Sequence, residues 1–76
     1  MEILGSAHLH GLADDDILHA VANAIAIDPA HDDGIFFIGP DHPGQLLEVL
    51  ARQTPDGLVV FHAMPLSPKY RRRYLP

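Results

Sequence analysis

Apolar residues repeat every four positions between residues 14 and 27. Ile17, Val21 and Ile25 form the centre of one apolar stripe, and most polar residues fall off it, which predicts an amphipathic helix. Three aspartates open this segment, where the positive end of a helix dipole favours carboxylates. Asp28-Pro29 should end the helix because a residue before proline avoids helical geometry. Residues 25–27 are equally compatible with extended chain.

Three apolar runs follow, at residues 34–39, 45–52 and 58–64, and each is predicted to be a strand. Turn residues separate them: a Pro- and Gly-containing segment at 40–44, and Thr-Pro-Asp-Gly at 54–57. The middle run taken alone also fits a helix. The close turns on both sides favour a strand.

The two ends of the chain complete the predicted fold. Residues 2–5 fit a short strand or a segment packed under the first helix, and residues 6–11 fit one helical turn with Ser6 as its N-cap. Ser67-Pro68 is a typical start for a last helix. We therefore predict one α+β domain over residues 1–76. It has one or two N-terminal helices, a three- to four-stranded antiparallel β-meander and a short basic C-terminal helix.

Composition limits the class of protein. The chain of 76 residues is 47% hydrophobic and has no cysteine, so a thin core must hold without disulfides. Self-association or a partner is the remaining way to bury more surface, and the free edge of a meander is available for it. No apolar run is long enough to cross a membrane and the first residues do not resemble a signal peptide. We expect a cytoplasmic protein.

The charges are distributed unevenly. The formal net charge is -5, which argues against general binding to nucleic acid, yet four of the five Lys and Arg residues lie within residues 69–73. If the aspartates of residues 14–16, 28 and 32–33 lie on the other side of the fold, the basic end can still face a phosphate backbone. This basic segment is the main indication of function.

The basic segment has a composition suited to RNA. Guanidinium groups recognise phosphates and tyrosine rings stack on bases, so Lys69, Tyr70, Arg72 and Arg73 are predicted to bind RNA. Arg71 is placed between Tyr70 and Tyr74 on one side of the helix. The alternative is a solvated tail whose tyrosines pack on the sheet.

Histidine supplies the candidate chemistry. His62 lies near the end of the strand that leads into the basic helix, and imidazole is suited to general acid–base catalysis near neutral pH. The alternative is a half-buried histidine bonded to a backbone carbonyl. Neither His8-Leu9-His10 nor His31-Asp32-Asp33 has the spacing of a zinc site, so no metal and no cofactor are predicted.

The order of these elements resembles the BrnT-type toxins of bacterial toxin–antitoxin modules. Residues 9–11, Leu-His-Gly, are similar to the family's Lys-His-Gly before the first helix. Residues 62–64 and 70–74 are similar to its Ser-Ala-Arg strand and its Glu-Arg-x-x-Tyr helix. Met64 differs, because it stands where the family's strand arginine would be.

The resemblance implies a RelE-like fold and a metal-independent endoribonuclease that inhibits translation, with an antitoxin as partner and RNA, free or on the ribosome, as substrate. The 2′-hydroxyl of RNA would attack the neighbouring phosphate, His62 or His10 would assist proton transfer, and an arginine such as Arg71 would stabilise the developing charge. Tyr74 joins this predicted catalytic set. A competing hypothesis is a non-catalytic module that binds protein or RNA on the same scaffold, which Met64 and the acidic surface favour. A homodimer or a toxin–antitoxin hetero-oligomer fits either hypothesis.

Overall fold

Five strands form one mixed sheet with a helix on each face. In a computed structural model that describes residues 1–76, the strand order across the sheet is β1-β5-β4-β3-β2, which puts β4 at the centre. The elements in chain order are β1 (Glu2–Ile3), a 3-10 turn (Gly5–His8), α1 (Asp14–Ala22), β2 (Ala26–Ala30), β3 (Gly34–Pro40), β4 (Leu46–Thr54), β5 (Gly57–Pro65) and α2 (Pro68–Tyr74).

The predicted RelE/BrnT-like fold, with its three- to four-stranded antiparallel meander, is wrong. The sheet has five strands and is mixed, because β1 pairs in parallel with β5 while the other neighbours are antiparallel. The parallel ladder joins Glu2 to Val59 and Ile3 to Val60. A pairing between residues so distant in the chain leaves no local pattern, which is why the alternation of residues did not predict it.

The first helix is shorter than predicted. It begins at Asp14 as expected but ends at Ala22, and residues 26–30 form β2 instead of a last turn and a helix stop. Pro29 is accepted because β2 is an edge strand, where a missing backbone N–H costs no ladder bond on the open side. Ile25 and Ile27 are each 59% exposed, so these two apolar side chains belong to the predicted helix in sequence but do not pack in the core.

The last three strands and the last helix agree closely with the sequence. The tight turn between β4 and β5 ends at Gly57, whose φ of +115° is a conformation that glycine adopts without strain. The Thr54 hydroxyl donates to the Gly57 carbonyl at 2.8 Å across this turn. Pro68 is the first residue of α2 and Ser67 its N-cap. The Ser67 side chain makes no capping hydrogen bond. Ser6 is not an N-cap either, because it lies within the 3-10 turn, and its hydroxyl donates to the Phe61 carbonyl.

Alternating residues of the central strands face two different helices. Val49 and Ala51 of β4 are fully buried in the larger core cluster, which includes Ile17 of α1. Phe36 of β3 belongs to a smaller cluster on the other face, against which Tyr70 of α2 packs. The two helices therefore lie on opposite faces of one sheet, and each face has its own core.

A bulge in β5 changes which residues face each helix. Leu50 pairs with His62, but Ala51 pairs with Val60, so Phe61 has no partner on β4. Val60 and Ala63 are three residues apart and both are fully buried on the α1 face, which strict alternation does not allow. The bulge therefore brings Phe61 and His62 next to each other on the α2 side.

Gly39 sets how closely α1 approaches the sheet. A Cβ atom at this position would lie 1.9 Å from the Ala20 carbonyl oxygen, so Gly39→Ala must push the helix away. We expect a loss of about 2–3 kcal/mol in the free energy of unfolding, measured by urea denaturation. Gly5→Ala is the matched control, because no atom lies within 4 Å of its added methyl group. Equal stability of the two variants would contradict this assignment.

Candidate functional site

A buried carboxylate organises the α2 face of the sheet. Glu48 on β4 is only 5% exposed, and its Oε2 lies 3.2 Å from Nε2 of His62. Its Oε1 accepts a hydrogen bond of 2.9 Å from the backbone N–H of Ser67, just before α2. Both carboxylate oxygens have a partner, as a buried charge requires. Glu48 therefore fixes His62 and the start of α2 relative to the central strand.

His10 lies beside His62. Their ring centroids are 6.0 Å apart with the planes nearly perpendicular. The short loop that carries His10 is held by the contact of His8 with Asp14 and by the Gly11 N–H, which donates to the His8 carbonyl at 3.0 Å. Two imidazoles and a buried carboxylate thus meet at one place. We name Glu48, His62 and His10 the histidine cluster.

An open cleft of about 670 Å³ lies between α2 and the sheet. Tyr70 and Tyr74 pack on Phe36, with ring centroids 4.7 and 5.7 Å from it, and these contacts hold α2 over the sheet. We name this site the aromatic cleft. Its aromatic and basic lining side chains are Phe36, Arg52, Phe61, Lys69, Tyr70, Arg73 and Tyr74, and His31 and Asp32 line it as well.

Each cation of the aromatic cleft lies over a ring of the same cleft. Arg52 is 5.1 Å from the Phe61 centroid, Lys69 is 5.2 Å from the Tyr70 centroid, and Arg73 is 5.7 Å from the Tyr74 centroid. Ion pairs within 4 Å involve only histidines, so none of the five Lys and Arg side chains has a carboxylate partner. The positive charge at this cleft is therefore open to an anion.

Tyr74 is tied to strand β2 at the edge of this cleft. Its hydroxyl donates to a carboxylate oxygen of Asp28, and this hydrogen bond raises the pKa of Tyr74 above its ordinary value, with burial and the negative charge of Asp28 adding to the effect. The hydroxyl therefore stays protonated at neutral pH. Asp28 and Asp32 both lie on the basic side of the fold, so the expected separation of acidic from basic residues is incomplete.

The structure divides the predicted site residues into three groups. His10 and His62 come together in the histidine cluster, and Lys69, Tyr70, Arg73 and Tyr74 come together in the aromatic cleft. Arg71 and Arg72 are exposed and do not line the cleft. The catalytic and RNA-binding roles assigned to these residues stay predictions.

Three important residues were missed by the sequence analysis. Glu48 was predicted only as a strand residue. Its position between Leu47 and Val49 in a central strand is nevertheless a signal of a buried, paired charge. Arg52, the one cation outside the basic segment, reaches the aromatic cleft from β4. Phe61 could not be placed without knowing of the bulge.

The candidate ligands His31 and Asp32 line the aromatic cleft. Asp32 and Asp33 form the β2–β3 turn with φ of 57° and 60°, a left-handed conformation that aspartate tolerates. No three His, Asp or Glu side chains are grouped closely enough to hold a metal ion. Neither helix is long and apolar enough to cross a membrane.

Comparison of the chain with models of known protein families, with curated proteins and with solved structures finds no significant match.

The Tyr74 contact predicts a pH-dependent contribution to stability. Because the folded-state pKa is raised, the stabilisation is fully present below the ordinary tyrosine pKa of 10.0 and is lost as the pH rises through the raised value. We expect Tyr74→Phe to cost about 1 kcal/mol at pH 7, and the difference from wild type to shrink above about pH 10. Urea denaturation at a series of pH values measures it.

Tyr70→Phe is the matched control, because the Tyr70 hydroxyl makes no hydrogen bond. It removes the same atom from a ring packed on the same Phe36. A stability difference for Tyr74→Phe that equals that of the control, or that is unchanged at high pH, would contradict the assignment.

Proposed function

We propose that this protein is a metal-independent endoribonuclease of the toxin–antitoxin type, acting in the cytoplasm on RNA. The observation that supports it best is the histidine cluster, in which His62 is held by buried Glu48 and lies beside His10. Two imidazoles at one place provide a base and an acid for transfer within RNA. The likeness to the toxin motifs is local to residues 9–11, because residue 64 departs from the strand motif and the fold differs from that of the family.

The contact with Glu48 defines how His62 can act. If Nε2 carries the proton that it shares with Glu48 Oε2, then Nδ1 has the free electron pair and is the base. We assign Nδ1 of His62 the removal of the proton from the 2′-hydroxyl. Glu48 does not touch substrate. It positions the imidazole and stabilises the charge that the ring acquires, as a carboxylate does behind other catalytic histidines.

The reaction is an internal transfer of the phosphoryl group. The 2′-oxygen forms a bond to phosphorus while the bond from phosphorus to the 5′-oxygen of the next nucleotide breaks. His10, in its protonated form, gives a proton to that 5′-oxygen. The products are a 2′,3′-cyclic phosphate and a free 5′-hydroxyl, and no metal or cofactor takes part. The open positive charge of Lys69 and its neighbours in α2 attracts the phosphate.

A cognate antitoxin is the partner that the toxin proposal requires. The unpaired cations on and around α2 are suited to an acidic segment of such a partner. That segment would compete with RNA for the same charges. Hetero-oligomer formation would then control the activity.

A second candidate function is a non-catalytic binding module on the same scaffold. Met64 pairs with Glu48 in the β-ladder, in the place where the resemblance expects a strand arginine, so this part of the site lacks a cation. The contact between His62 and Glu48 is also compatible with a purely structural role. The module would bind RNA or protein without cutting it.

RNA cleavage by the purified protein separates the two functions. We expect cuts that leave 2′,3′-cyclic phosphate ends, with or without ribosomes, that persist when EDTA is added. His62→Ala should lower the rate by about 10²- to 10⁴-fold, because general acid–base catalysis contributes that much. His42→Ala is the control, since His42 is exposed and contacts His19 on the other side of the molecule. Binding of RNA without cuts would support the module instead.

Glu48→Gln tests the positioning role. The amide keeps the size of the side chain but no longer supplies a charged acceptor to both His62 and Ser67. We expect kcat to fall at least about ten-fold with little change in KM, because ground-state binding is not affected. An unchanged kcat for Glu48→Gln would contradict this role of Glu48. So would an equal loss of kcat for Glu2→Gln, because Glu2 is an exposed residue of the edge strand β1.

A further inference from the structure

The aromatic cleft has the form of a nucleotide site. Phe61 and Phe36 from the sheet and Tyr70 from α2 line it, and three cations lie at its rings. Its volume of about 670 Å³ is within the usual range of small-molecule sites. Aromatic rings stack on bases, and cations without a carboxylate partner bind phosphates, so the two parts of a nucleotide match the two kinds of side chain here. The Nε of Arg52 also donates to the backbone carbonyl of Asp32 at 3.2 Å.

The cleft adjoins the histidine cluster along the sheet, although no residue of that cluster lines it. Phe61 of the cleft precedes His62 in the bulge, and Leu50, the β-ladder partner of His62, also lines the cleft. Glu48 and Leu50 are two residues apart on β4 and face the same side. A nucleotide in the cleft therefore lies beside the imidazole that is assigned as the base.

We propose that the aromatic cleft binds an unpaired nucleotide of single-stranded RNA next to the bond that is cut, with its base against Phe61 and the Arg52 guanidinium that lies over that ring, and its phosphate at Lys69. The inference rests on the proposed function for the position of the cut, but the binding site itself does not need catalysis. It explains why Arg52, far from the basic segment in sequence, lies with it in space. A base in a duplex is already stacked and cannot enter the cleft.

The test is binding of a fluorescein-labelled hexauridine whose 2′-hydroxyls are methylated, so that it cannot be cut by internal transfer. Fluorescence polarisation gives the Kd for wild type and variants, each first shown to melt like wild type. Phe61→Leu keeps an apolar side chain but removes the stacking surface, and we expect the Kd to rise on the order of ten-fold.

Arg52→Gln and Arg72→Gln compare an arginine of the cleft with an arginine that the sequence predicted to bind RNA but that lies outside the cleft. Both arginines are exposed and each change removes one positive charge, but only Arg52 lines the aromatic cleft. We expect Arg52→Gln to raise the Kd several-fold more than Arg72→Gln at the same salt concentration. Equal effects would indicate attraction by net charge alone and would overturn the inference. An unchanged Kd for Phe61→Leu, or no binding of the single strand, would overturn it too.

The outcomes also separate this inference from the proposed function. If wild type cuts RNA and Phe61→Leu neither changes the Kd nor moves the cleavage sites, the cleft assignment fails and the ribonuclease stands. If the methylated strand binds through Phe61 and Arg52 but unmodified RNA is never cut, the cleft stands and the ribonuclease fails.

Discussion

The burial of one carboxylate in the centre of the sheet is the constraint on which the α2 face depends. Glu48 is on the middle strand, and its charge is tolerated only because His62 and the Ser67 N–H take up its two oxygens. These two contacts join β4 to β5 and to the start of α2. The same contacts orient His62, which is half-buried and is the histidine on the sheet that has a carboxylate partner.

The two faces of the sheet differ in how closely they are packed. The α1 face is a dry core in which Gly39 lets the helix approach to backbone contact. On the α2 face the short helix is held chiefly by tyrosines on Phe36, and an open cleft remains beside them. The larger buried cluster thus lies on the α1 face, and the α2 face keeps half-buried rings and cations without a carboxylate partner.

The sequence predicted the elements whose signals are local. β3, β4, β5 and α2 follow from apolar runs, from turn residues such as Gly57 and from Ser67-Pro68, and each lies close to its predicted place. The parallel β1 ladder, the β2 edge strand and the bulge at Phe61 depend on pairing between distant residues, which alternation along one strand cannot reveal. The histidines and basic residues could be predicted as candidates from residue type alone, whereas Arg52 and Phe61 became recognisable only in three dimensions. Glu48 had a sequence signal, its place between two apolar residues of a central strand, but its partners depend on the fold.

The bulge in β5 changes which residues of the strand face α1: Val60 does so before the bulge and Ala63 after it. Up to Val60 the strand follows one alternation of faces, and from His62 onward it follows the other. The buried residues before and after this point therefore remain under α1, although the spacing between them is odd. Loss of Phe61 would restore a regular ladder in which Val60 and Ala63 still face α1, because the residues on either side of Phe61 already pair with neighbouring residues of β4. The core therefore does not need the extra residue, and what the bulge adds is one more side chain, Phe61, beside His62 on the α2 side of the sheet.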